Sequence, residues 1–205
     1  NQVSGTIPQE VGEITNLVHF IADYNELTGP LPGGFGGLAK LRVLIASYNH
    51  ISGPIPDTFC SMENIFILYI DHNKLEGTVP AQFASMSNLG YLDFDENRLT
   101  GTLPDAFYNL TRLFFLGMAH NYFTGTISEQ IGNLRRMEFL YLSDNYLTGT
   151  IPSAIGAMPI LLFLHLFDNY LTGTIPAGAD LGTPSYLEYL YLHNNMLTGT
   201  VPTTI

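Results

Sequence analysis

Apolar residues recur along this chain in short groups on a fixed beat, not in one long block. Asn25, Asn49, Asn73, Asn97, Asn121, Asn145 and Asn169 stand 24 residues apart, Asn1 shares their register, and the series slips by two to Asn195. Upstream of each Asn, apolar residues occupy positions minus eight, minus five and minus three, as with Met137, Leu140 and Leu142 before Asn145. The last two are spaced by two and predict one buried face of a short β-strand. Downstream come an apolar residue at plus two, Gly at plus four and then an apolar-Pro pair such as Ile7-Pro8, Ile55-Pro56 or Val201-Pro202, with Ser128 replacing Pro once. One such unit cannot enclose its own apolar face, whereas stacked units share a continuous core. The pattern therefore predicts one solenoid domain over 1–205, built from about eight 24-residue repeats.

The repeat, L-x-x-L-x-L-x-x-N-x-L-x-G-x-I-P, resembles the plant-type extracellular leucine-rich-repeat family, which includes receptor-kinase ectodomains and polygalacturonase-inhibiting proteins. The resemblance covers essentially the whole chain. It implies an α/β repeat fold: a leucine-rich-repeat solenoid with a parallel β-sheet on the concave face and short helical turns on the convex side. It also implies a second short strand at G-x-I-P, an Asn side chain bonded to the backbone between units, and partner binding on the concave or adjacent lateral surface. Two departures stand out. Between Ile175 and Leu187 the usual spacing of ten becomes twelve, which predicts a small bulge from Ala177 to Tyr186. Neither end carries the paired-cysteine caps common in extracellular members, so the expectation is a piece of a longer array or a unit that self-associates through uncapped ends.

If the strands hold, side chains at minus six, minus four, minus two and minus one from each Asn face outward on the concave surface. The minus-six column contains Tyr91, Phe115, Phe139, Phe163 and Tyr189 on adjacent strands, and the minus-four column contains Tyr69, Asp93, Gly117, Tyr141, His165 and Tyr191. Repeated aromatics on a solvent-facing sheet mark an interaction site for a protein, peptide or glycan. The competing reading is that neighbouring rings cover one another and stabilise the sheet. Asp71, Asp93, Asp95 and Glu96 cluster on two adjacent strands with His72 and His120 beside them, which predicts a solvated acidic patch suited to a basic or hydroxyl-rich group. Their spacing matches no compact metal loop, and no metal or cofactor is implied. An open sheet excludes little water, and no nucleophile-base pair or phosphate loop appears at meaningful spacing, so an enzyme is not expected.

Within L-T-G-T-I-P the apolar residues point inward, which leaves paired Thr side chains outward: Thr100 and Thr102, Thr124 and Thr126, Thr148 and Thr150, Thr172 and Thr174, Thr198 and Thr200. That lateral grid is similar to the ice-binding surfaces of some antifreeze solenoids, and it also suits lateral packing or O-linked sugars. One N-glycosylation sequon, Asn109-Leu110-Thr111, falls on the predicted convex side.

Composition narrows the partners. Eighteen acidic residues against 7 Lys+Arg give a net charge of -11, so a nucleic-acid backbone is repelled. Apolar runs are too short for a membrane-spanning helix of roughly 20 residues. Cys60 stands alone at a repeat position filled elsewhere by Gly12, Gly36, Ala84, Gly132 and Gly156, and is read as a small filler. The readings that remain are an extracellular or cell-surface recognition module, a structural component of an extracellular filament, wall or surface coat, and an ice-binding protein.

Overall fold

The computed structural model describes residues 1–176 and 186–202. Each repeat contributes a three-residue strand to one parallel sheet, running in order from His19–Ile21 through Val43–Ile45, Ile67–Tyr69, Tyr91–Asp93, Phe115–Gly117, Phe139–Tyr141 and Phe163–His165 to Tyr189–Tyr191. Equivalent residues sit opposite one another, for example Phe115 against Phe139 and Phe139 against Phe163. This inner sheet is the predicted concave one. The leucine beat lies beneath it: Leu92, Leu116, Leu140 and Leu164 at minus five, and Ile70, Phe94, Met118 and Leu142 at minus three, are all buried.

A second parallel sheet runs along the side. Its strands span Ser4–Thr6, Glu26–Gly29, His50–Gly53, Lys74–Thr78, Arg98–Thr102, Tyr122–Thr126 and Tyr146–Thr148. From Glu26–Gly29 onward each strand begins immediately after the Asn, and all seven end within one residue of the Gly, so the expected placement at G-x-I-P is corrected upstream. The reason is the Asn: its Oδ1 accepts the N–H two residues past the preceding Asn, as Asn121 accepts from Leu99 N at 2.9 Å, and this fixes the extended segment there. The Gly residues of this sheet hold φ between 74° and 91°, a turn of the chain that a side chain would strain.

Among the described residues, the apolar-Pro pairs from Ile7-Pro8 to Ile151-Pro152 lead into five-residue 3-10 turns, such as Ala81–Ser85 or Asp105–Asn109, which form the convex side. Pro leads into the turn because its fixed φ suits the residue before it. Where Ser128 replaces Pro, its hydroxyl instead accepts from Gln130 N at 3.2 Å, capping the turn. Each turn buries one large residue, including Phe35, Phe59, Phe83 and Phe107, which pack edge to face across repeats. Cys60 is half-buried beside this core. At the equivalent positions a Cβ on Gly12 or Gly36 would come within 2.7 and 2.2 Å of a neighbouring carbonyl oxygen, so those two repeats require Gly, whereas the equivalent Tyr108 is buried and its hydroxyl accepts from Ser128 N at 3.3 Å. The bulge expected from Ala177 to Tyr186 falls mainly on 177–185, outside the described residues. Among the described residues, no helix is long and apolar enough to cross a membrane.

Candidate functional site

The inner sheet brings the predicted aromatics together, but as a stack rather than an open row. Phe139 and Phe163 lie 4.9 Å apart at 18°, and Phe163 and Tyr189 lie 4.3 Å apart at 6°. One column over, His165 sits between Tyr141 at 4.4 Å and Tyr191 at 4.6 Å. Strand spacing enforces this: rings standing about 4.8 Å apart on neighbouring parallel strands meet face to face. Tyr91, Phe115, Phe139, Phe163 and Tyr141 are therefore half-buried, and only Tyr189 and Tyr191 at the end of the stack are exposed, each at 42%. Along Phe139, Phe163 and Tyr189 the ring faces are occupied by neighbours, whereas Phe115 meets Tyr141 edge to face at 5.4 Å and Phe139 tilted at 6.1 Å. Burial pulls the His165 pKa down, so this imidazole acts as a neutral plate in the stack.

The acidic residues do converge, and the expectation of a solvated patch is corrected. Asp71 is buried, accepting from Ser47 Oγ and lying 2.9 Å from His72 Nδ1. Asp93 Oδ1 accepts from Asp95 N at 3.0 Å, and Asp95 Oδ1 accepts from Ala119 N at 2.6 Å. Both carboxyls lean into the place where Gly117 has no side chain. A Cβ there would stand 2.6 Å from Asp93 Oδ1 and 2.9 Å from Asp95 Oδ1. Burial, with the Asp71 charge, lifts the Asp93 pKa to about 7; burial, with the Asp93 charge, lifts that of Asp95 to about 8. The pair thus retains proton at neutral pH. Tyr69, pushed up to about 12 by burial and by Asp93, and Tyr141, raised by burial and by Asp95, remain phenols on either side. The two carboxyls thus fill the notch that Gly117 leaves in the middle of the sheet, with Tyr69 and Tyr141 beside them.

Two features escaped the sequence reading. The residue before every ladder Asn, from Tyr24 to Asn194, holds φ between 50° and 54°. This left-handed turn directs the column to the rim, where Tyr24, Tyr48 and His72 stack at 4.3 and 3.9 Å. Further along the rim, His120 Nε2 lies 3.3 Å from Asp144 Oδ2 and 3.6 Å from Glu96 Oε1. The residues after Asn121, Asn145 and Asn169 form another exposed stack, Tyr122, Tyr146 and Tyr170, with rings about 6 Å apart. Three Tyr in succession at one repeat position was the signal for it.

On the outer side all ten predicted Thr side chains are exposed. Their rotamers are held in place. The first hydroxyl of each pair donates to the preceding repeat's Gly carbonyl, as Thr124 does to Gly101 and Thr148 to Gly125, both at 3.2 Å. The methyl of the second packs on the next repeat's Gly, with Thr102 Cγ2 standing 2.8 Å from where a Cβ on Gly125 would lie. Asn109 is exposed on the convex side, remote from both sheets. Among the described residues, no group of three His, Cys, Asp or Glu is arranged to hold a metal ion.

Family models for the leucine-rich repeat match residues 63–123 and, separately, 40–62, 136–158 and 186–205, together more than half of the chain. No curated protein matches by sequence. Among solved structures, the plant peptide hormone receptor RGFR1 in complex with RGF2 is 33% identical, with a TM-score of 0.92 over 96% of this chain and 31% of its own. The Arabidopsis receptor kinase HAESA ectodomain, in complex with an N-terminally extended IDA peptide hormone ligand, is 31% identical, with a TM-score of 0.94 over 98% of this chain and 33% of its own. A plant ice-binding protein is 26% identical, with a TM-score of 0.75, and this chain spans 72% of it. The chain thus spans about a third of the length of the receptor chains it matches. The ladder Asn, the parallel inner sheet and these matches agree: the chain belongs to the plant-type leucine-rich-repeat family.

Proposed function

We propose that this chain is a non-catalytic extracellular recognition module that binds an extended protein or peptide segment along the inner sheet. The observation that carries this reading is the notch at Gly117, where Asp93 and Asp95 gather between Tyr69, Phe115 and Tyr141. A guanidinium or ammonium group docking over it displaces protons from the carboxyls and gains charge-assisted hydrogen bonds. The stacked rings from Phe139 to Tyr189 then meet apolar side chains with their edges. Because their faces already pack on one another, flat stacking of a sugar ring is opposed, which favours a peptide over a glycan. The receptors similar to this chain are described in complex with peptide hormones, which supports the same class of ligand here.

The test is a binding screen with labelled extended peptides, Arg- and Lys-containing sets against Asp- and Glu-containing ones. Basic peptides should be retained, and a selected peptide should bind the Asp93→Asn/Asp95→Asn double variant and the Phe139→Ala variant at least about tenfold more weakly. Equal retention of both sets, or equal affinity in both variants, overturns the reading.

A second reading rests on the outer side, where exposed Thr pairs with fixed rotamers repeat every strand, about 4.8 Å apart. Such an array presents hydroxyls and methyls on a lattice able to order water, and the ice-binding relative supports it. Inhibition of ice recrystallisation by the unmodified chain, lost in Thr124→Asp/Thr148→Asp, is the expected result. No thermal hysteresis and no effect on recrystallisation excludes it.

A further inference from the structure

Asparagine does two different jobs in this chain, and the structure separates them. The ladder Asn residues are committed to the backbone: Asn97, for example, donates through Nδ2 to the carbonyls of Ile70, Phe94 and Asp95 while its Oδ1 accepts from Leu75 N. An amide nitrogen held in that way inside the coil has no room for a substituent. On the convex side, Asn64 and Asn88 are also tied, each donating at 2.8 Å to a carbonyl of the preceding repeat, Ala39 and Glu63 respectively. Asn109 differs from all of these.

Asn109 closes the 3-10 turn Asp105–Asn109, is exposed, and its side-chain amide makes no hydrogen bond. Two residues later stands Thr111, also exposed, whose backbone N–H donates to the Asn109 carbonyl at 2.9 Å. The chain therefore turns sharply at the surface and brings the amide and the Thr to one side of it. The residues at the same position in the flanking repeats, Ser85 and Asn133, are likewise exposed, so the neighbouring coils leave space above the amide. Leu110, the middle residue, points into the core and anchors the turn. No other Asn in the chain is followed two residues on by Ser or Thr.

We propose that Asn109 is a site of N-linked glycosylation, and that the oligosaccharide it carries shields the convex ridge and leaves the inner sheet and Thr ladder free. The modification suits the residue pair, since Asn-X-Thr is the acceptor sequence and only a solvent-facing amide tolerates a bulky hydrophilic group in the folded state. In chemical terms the Asn109 Nδ2 forms a bond to the anomeric carbon of a lipid-diphosphate-linked oligosaccharide. The bond from that carbon to the diphosphate oxygen breaks, the lipid diphosphate leaves with the electron pair, and one amide proton is released. A glycan on this side blocks docking of any large partner on the convex ridge around Asp105 to Arg112. It leaves recognition to the inner sheet, where the carboxyl notch and the aromatic stack lie. The proposal rests on the extracellular reading above only in requiring passage through a secretory pathway.

The experiment is secretion of the chain from a eukaryotic host, followed by intact mass measurement before and after amide-releasing glycosidase treatment. The expected result is a mass above the bare polypeptide by one oligosaccharide, lost on treatment, with deamidation of Asn109 to Asp located in the peptide map. Asn109→Gln and Thr111→Ala should both be secreted at the bare mass, Thr111→Ser should keep the glycan, and all three should melt with the unmodified chain. Wild type secreted at the bare polypeptide mass overturns the proposal, as does a glycan that persists in Asn109→Gln. Loss of the glycan with peptide binding intact removes this site alone, whereas absence of peptide binding with the glycan present removes the recognition reading alone.

Discussion

Asn121→Ala is expected to lower the stability of the solenoid by about 3 kcal/mol, close to the loss from a large truncation in the core. The side chain closes four groups at once. Its Oδ1 accepts from Leu99 N at 2.9 Å, and its Nδ2 donates to the carbonyls of Phe94 at 2.9 Å, Ala119 at 3.0 Å and Met118. The side chain is buried, so Ala leaves the Leu99 amide and the Phe94 carbonyl without water or protein partners. Each orphaned group costs on the order of 1–3 kcal/mol, which is why one polar residue weighs as much as a Leu. At this chain length the loss lowers Tm by about 6–12 °C. Tyr122→Ala, at the exposed position next to it, should change stability by no more than roughly 0.5 kcal/mol. Calorimetry that finds the two variants alike sinks the claim that the Asn ladder closes the coil.

Raising the pH from about 5 to above 8 is expected to destabilise the chain by about 2–4 kcal/mol, the full shifts being reduced because the fold relaxes around the charged carboxyls and the two titrate together. The folded state lifts Asp93 to about 7 and Asp95 to about 8, whereas an unfolded chain releases these protons near 4. Between those values the folded form binds more protons, so stability falls as pH rises through that window and levels off above about 8. The groups that set the slope are known. Asp71 and Glu96 repel the pair, His72 offsets part of the Asp93 burden, and the Ala119 amide offsets part of that on Asp95. Asp95→Asn keeps an oxygen for the Ala119 amide and removes the proton release, so its melting curve should be higher at pH 8 and flatter across the range. A wild-type Tm that rises steadily from pH 5 to 8 contradicts the arrangement.

The two effects have one origin in the stacking of identical units. A residue at a given repeat position meets its own counterparts on both sides, about 4.8 Å away. For Asn that places an acceptor and a donor where the neighbouring backbone needs them. For aromatics it produces a column of ring contacts from Phe139 to Tyr189. For carboxyls it brings like charges together, and Gly117 is the position whose missing side chain gives Asp93 and Asp95 somewhere to go.

The beat of Leu, Asn, Gly and Pro was enough to place the inner strands and the outward Thr pairs, because each depends on spacing along one repeat, whereas the convex turns were implied by the family resemblance. Leu140 under the sheet and Thr148 outside it follow from the alternation of side chains alone. The second strand, the rim and the notch required the third dimension. Where the outer strand begins is set by a hydrogen bond from one repeat to the Asn of the next, and the rim by a left-handed φ at the residue before that Asn. Periodicity assigns a side chain to a face but not to a depth on that face. Asp71 was legible as a residue of the concave surface, yet its burial, the protons on its neighbours and the covered faces of the Phe and Tyr rings arise only when eight coils are laid against one another.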